Sequence, residues 1–140
     1  MGTASLPPGS AAQGFAQLAG LSTRLETQAG GLIQYLQRDG EHFRNDSYLA
    51  TLQALANNFL GSTQNFRRFL MRPAIDRSGL IDVAQLRQTW QQTAAHWQTL
   101  SASLDQLGTQ VRHSQRYFPD LYRTQDEITA IMADIQASVR

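Results

Sequence analysis

The chain has 140 residues, enough for one domain with a real interior. Charge is nearly balanced at 12 basic against 11 acidic residues, and charged residues make up 16% of the chain, below the usual ~25%. A net charge of +1 without a basic run gives no electrostatic hold on nucleic acid or anionic lipid, and the absence of Cys excludes disulfides, thiolate metal sites, thiol catalysis and cysteine-linked haem.

The first nine residues read as an extended lead-in, because Pro7, Pro8 and Gly9 oppose helix interior. They have neither the positive start nor the apolar run of a secretory leader. The domain is expected over residues 10–140, and either end is compatible with a longer chain. The first helix is predicted over about 11–38. Phe15, Leu18, Ser22, Leu25, Ala29, Leu32 and Leu36 recur in steps of three and four, which puts them on one face, with Leu21 and Ile33 beside it. Gly30-Gly31 is expected to kink or break this helix. Asp39-Gly40 ends it, with glycine where a left-handed backbone is wanted.

The second helix is predicted over about 47–72, capped by Asp46 or Ser47 and ended by Pro73. Its face is Leu49, Leu52, Ala56, Phe59, Thr63, Phe66 and Leu70, broadened by Leu55, Leu60 and Phe69. Residues 74–81 read as a turn. The third helix, about 83–116, opens with Asp82 as cap and Gln85 three residues on. Val83, Leu86, Trp90, Thr93, Trp97, Leu100, Leu104, Leu107 and Val111 keep a heptad rhythm, which predicts a seam facing one neighbour and a left-handed supercoil. The last helix, about 120–140, carries Leu121, Ile128, Met132, Ile135 and Val139 inward, with Ile131 beside them and a capping pair expected at Thr124 and Glu127. Nothing alternates as a strand would. The class is therefore all-α: an antiparallel up-down bundle of about four helices. No segment has the ~18 apolar residues of a membrane span, so no direct membrane insertion is expected.

The stretch Ala74 to Leu86 resembles the calcium loop of an EF-hand, with Asp76, Ser78, Gly79, Ile81 and Asp82 at places that loop accepts. The resemblance implies oxygen ligands from Asp76, Ser78 and Asp82. Ala74 and Gln85 occupy the places of the first Asp and the bidentate Glu, which carry most of the charge a calcium ion needs. His42, near Asp39, Glu41 and Asp46, is the other metal-ligand candidate. No His on a helix has a His, Asp or Glu three or four residues away, so neither metal nor cofactor is expected.

Trp90 and Trp97 share one face. They suit an aromatic cage or a haem-like pocket, or else they fill the core opposite Ala29, Ala56, Thr63 and Thr93; the second reading is preferred. Two clusters mix Arg with aromatics and suit a partner surface: Arg67, Arg68, Phe69 and Arg72 near the end of the second helix, and Arg112, Arg116, Tyr117, Phe118, Tyr122 and Arg123 at the third corner. In an up-down bundle these clusters need not meet. No paired carboxylates, Ser-His-acid set or phosphate loop stand out.

All basic residues are Arg, with no Lys, and Gln fills much of the polar surface. A neutral, amide-rich surface suits a protein that packs against something or one that works outside the cytosol. The sequence thus points to a non-enzymatic bundle engaged in protein interaction, self-association or scaffolding. The alternative is a ligand-sensing or metal-binding bundle of an extracytoplasmic bacterial protein, similar to bacterial four-helix sensor domains in size and helix count.

Overall fold

In the computed structural model, the described residues are 8–40, 46–76, 83–110 and 118–139, with side chains described over 16–40, 49–71, 84–106 and 118–139. They form four helices: α1 (Pro8–Asp39), α2 (Asp46–Asp76), α3 (Val83–Gln110) and α4 (Pro119–Val139). No strand occurs among the described residues.

The helix limits differ from the sequence expectation where proline and glycine were read as stops. α1 begins at Pro8, inside the expected lead-in, because a proline in the first turn gives up an N–H that has no helical partner anyway. It then runs without a break through Gly30 and Gly31. α2 continues through Pro73 to Asp76, where the proline falls in the last turn and its missing N–H costs one backbone bond. α4 starts at Pro119, so Thr124 lies inside the helix and is not a cap. Its Oγ1 donates to the Asp120 carbonyl at 2.8 Å. Asp120 in the first turn meets the positive end of the helix dipole. The expected end of the third helix at 116, its Asp82 cap and the connectors at 41–45, 77–82 and 111–117 lie outside the described residues.

Gly40 serves another purpose than a left-handed cap. Its backbone is not left-handed; a Cβ there would lie 2.7 Å from Leu49 Cδ2. The missing side chain makes room for the start of α2 to fold back onto the end of α1.

α1 packs against both α2 and α4, and α2 packs against α3. Cross-helix contacts give the directions. Glu26 meets Arg67 and Gly40 meets Leu49 across α1 and α2. Phe59 meets Trp97 and Phe66 meets Trp90 across α2 and α3. Trp90 meets Gln136 and Leu104 meets Tyr122 across α3 and α4. In each pair rising numbers on one helix meet falling numbers on the next, which is an antiparallel relation.

Where side chains are described, the interior holds most of the residues that the helical spacing selects; Leu49 is half-buried, and Phe15, Val83, Leu107 and Val111 have side chains outside the described residues. Leu25, Leu32, Leu36, Leu52, Phe59, Phe66, Leu70, Leu100, Leu104, Leu121, Ile128 and Ile135 are fully buried. Each such burial is worth ~1.5–3 kcal/mol against solvent. Trp97 lies with its ring centroid 5.1 Å from that of Phe59, and Trp90 5.4 Å from that of Phe66, both tilted. Ala29 and Ala56 share this interior with the rings, as do five Ser and Thr residues: Ser22, Ser62, Thr63, Thr93 and Thr124. Ser22 Oγ donates to the Ala19 carbonyl at 2.8 Å, Thr63 Oγ1 to Leu60 at 2.7 Å and Thr93 Oγ1 to Thr89 at 3.1 Å. Among the described residues no buried side-chain nitrogen or oxygen lacks a partner.

Candidate functional site

The antiparallel order puts the two Arg-aromatic clusters at opposite ends of the bundle. The end of α2 lies with the starts of α1 and α3. The start of α4 lies with the ends of α1 and α3. Among the described residues, each cluster includes rings that are interior rather than surface. Phe69 of the first and Phe118 and Tyr122 of the second are buried. The Tyr122 hydroxyl donates to the Leu104 carbonyl at 3.2 Å, which satisfies its polar tip and fixes the ring between α3 and α4. These three were expected on a partner surface. Aromatic rings beside the inward stripe widen the core toward the bundle ends. The rings of Trp90 and Trp97 likewise pack in the core and form no cage.

At the α2 end, Arg67 Nε pairs with Glu26 of α1. Arg68 and Met71 face water, Met71 at 45% exposure. The Arg72 side chain lies outside the described residues. At the α4 end, Arg123 is exposed and pairs with Asp120 at 2.9 Å, one turn away. Arg112, Arg116 and Tyr117 lie outside the described residues, as do His42, Ser78, Asp82 and the side chain of Asp76. Among the described residues no group of three or more His, Asp or Glu could hold a metal ion.

The structure also brings together residues that sequence spacing did not single out. Arg38, in the last turn of α1, donates to Asp39 at 3.0 Å and to Asp120 of α4 at 2.9 Å. Its guanidinium sits 4.8 Å over the Tyr35 ring. These partners raise the Arg38 pKa, Asp39 most and Asp120 next. The Asp120 carboxyl is held below its ordinary value, chiefly by the Arg38 hydrogen bond. Arg38 is exposed and its partners are half-buried at the surface, so solvent screens the clasp between α1 and α4. Arg38 at a helix C-terminus and Asp120 at an N-terminus are each legible from the helix dipole. Their meeting across the bundle is not.

In mid-bundle, Ser62 Oγ contacts His96 Nδ1 across α2 and α3, and also donates to the Asn58 carbonyl at 3.2 Å. The pair is engaged in holding the two helices. Among the surface clefts, two are lined by described residues. One, about 680 Å³, lies between α1 and α2 where Gly30 and Gly31 leave space beside Tyr35 and Gln64. The other, about 550 Å³, lies between α3 and α4 and is lined by Ser101, Asp105, Tyr122, Gln125 and Asp126 among others. Both are rimmed by amides, hydroxyls and carboxylates.

Compared with known proteins, the chain matches no family, no curated protein and no solved structure.

Proposed function

We propose that this bundle works without catalysis, as a protein-interaction or scaffolding module whose contact surface includes the end of α2. The observation that carries this reading is Met71, a large apolar side chain 45% exposed, on the same helix end as the exposed Arg68. Met and Arg are enriched at protein interfaces, where a polarizable apolar chain beside a cation gives both burial and a polar rim. Among the described residues the interior that backs this surface is packed and its buried side-chain polar atoms are paired, which makes it a firm platform. An extracytoplasmic setting goes with the neutral, amide-rich surface.

The test is sedimentation velocity over a wide concentration range, with cross-linking capture from the native source, on the wild type and on Met71→Glu and Arg68→Glu. Self-association or a captured partner that either substitution abolishes is the expected result. A wild type that stays monomeric and captures nothing sensitive to these residues removes the proposal.

A second reading, a small-molecule-binding bundle, is favoured by the polar α3/α4 cleft with Arg123 at its edge. A thermal-shift screen of amino acids, inorganic anions and divalent metals separates the two. Stabilisation lost in Arg123→Ala and Asp105→Ala would favour the ligand.

A further inference from the structure

The four helices do not pack equally. α1 with α2, α2 with α3 and α1 with α4 approach closely, whereas the backbones of α3 and α4 come together at far fewer places. Long side chains reach across that wider seam. Trp90 Nε1 donates to Gln136 Oε1 at 2.6 Å near one end. Gln125 Nε2 reaches Ser101 Oγ and Asp105 Oδ1, each at 3.0 Å, and the Tyr122 hydroxyl reaches the Leu104 carbonyl at 3.2 Å near the other. The Gln125 amide has two hydrogens, so it shares them among its acceptors. Water can replace each of these bonds at little net cost once the groups are wetted, and the cleft already brings solvent to the Gln125 end. Fully covered apolar chains line the interior on all four helices, Leu100 and Leu104 of α3 and Leu121, Ile128 and Ile135 of α4 among them, so the α3/α4 seam is set apart by its wider backbone spacing and its cleft.

We propose that the bundle opens along the α3/α4 seam, with the two helices parting while α1/α2, α2/α3 and α1/α4 stay packed. Gln125 is the latch: its amide ties α4 to α3 at the solvent-reached end. The motion gives the molecule a second, wider state without unwinding any helix.

Because the chain has no Cys, pairs of introduced cysteines carry spin labels only where placed. One pair at the exposed Gln98 and Thr129 spans α3 and α4; a control at the exposed Gln34 and Asn57 spans α1 and α2. Pulsed dipolar distances are recorded for both pairs, with and without Gln125→Ala, after circular dichroism has shown unchanged helicity. The α3/α4 pair should show a second, longer component, displaced by about 5 Å or more against an ordinary interaxial spacing of 8–10 Å. Q125A should raise its share, and the α1/α2 pair should stay single and narrow. An α3/α4 distribution as narrow as the control overturns the proposal. So does equal broadening of both pairs, which would mean general looseness. A second component that Q125A leaves unchanged overturns the assignment of the latch.

Discussion

Three glycines separate space from conformation and give opposite expectations for one substitution. A Cβ at Gly30 or Gly31 would meet nothing within 4 Å, and neither backbone is left-handed. Ala costs ~1 kcal/mol less than Gly in a helix interior, mainly because the unfolded chain has less freedom to lose. Gly30→Ala with Gly31→Ala should therefore stabilise by about 2 kcal/mol. At ~4 °C per kcal/mol for a chain of this size, Tm should rise by about 8 °C. At Gly40 the new Cβ would lie 2.7 Å from Leu49 Cδ2, so the leucine has to turn aside. The contact is with the end of a flexible chain, which places Gly40→Ala at the low end of overpacking costs, about 1 kcal/mol of lost stability. The assay is urea unfolding followed by circular dichroism, with calorimetry for Tm; slopes should match the wild type, so that midpoints alone report stability. A double alanine variant that melts lower, or a Gly40→Ala variant that melts higher, would refute the spatial argument.

Trp97→Ala should cost about 3–5 kcal/mol in the same urea assay, since it empties the slot against Phe59; a loss under about 1 kcal/mol would show that the slot is not closed. The Asp120 carboxyl, lowered by Arg38, contributes stability that is present above the ordinary carboxylate value of about 4 and is lost as pH falls below it. Asp120→Asn should thus melt lower than wild type at neutral pH, converge with it in acid, and lose the difference in high salt. Ser22→Ala should change stability by no more than about 0.5 kcal/mol, because the buried hydroxyl bonds only within its own helix; a loss above about 1 kcal/mol would point to a cross-helix role.

The inward residues were legible because helical spacing and burial obey one geometry. Leu25, Leu32, Phe59, Phe66, Leu100 and Ile128 are where a period near 3.6 puts them. Limits were less legible, since Pro8 and Pro73 read as breakers while first and last turns tolerate proline. The partner clusters were half legible. Arg68 and Arg123 face water, but Phe69, Phe118 and Tyr122 carry no mark in sequence that separates an end-of-core ring from a surface ring. The Arg38–Asp120 clasp joins residues 82 apart. Such a pairing follows from how helices are arranged and not from any local pattern.

That same separation bears on the order of assembly. Bringing Arg38 to Asp120 closes a loop of 82 residues, whereas the Gly40–Leu49 contact closes a loop of nine. On the logarithmic law for flexible chains the longer closure costs about 2 kcal/mol more entropy. The α1–α2 hairpin is therefore expected in the rate-limiting ensemble, with α4 docking late. In stopped-flow chevrons, Leu36→Ala should slow refolding, while Ile128→Val should chiefly hasten unfolding. The reverse pattern would place α4 in the nucleus.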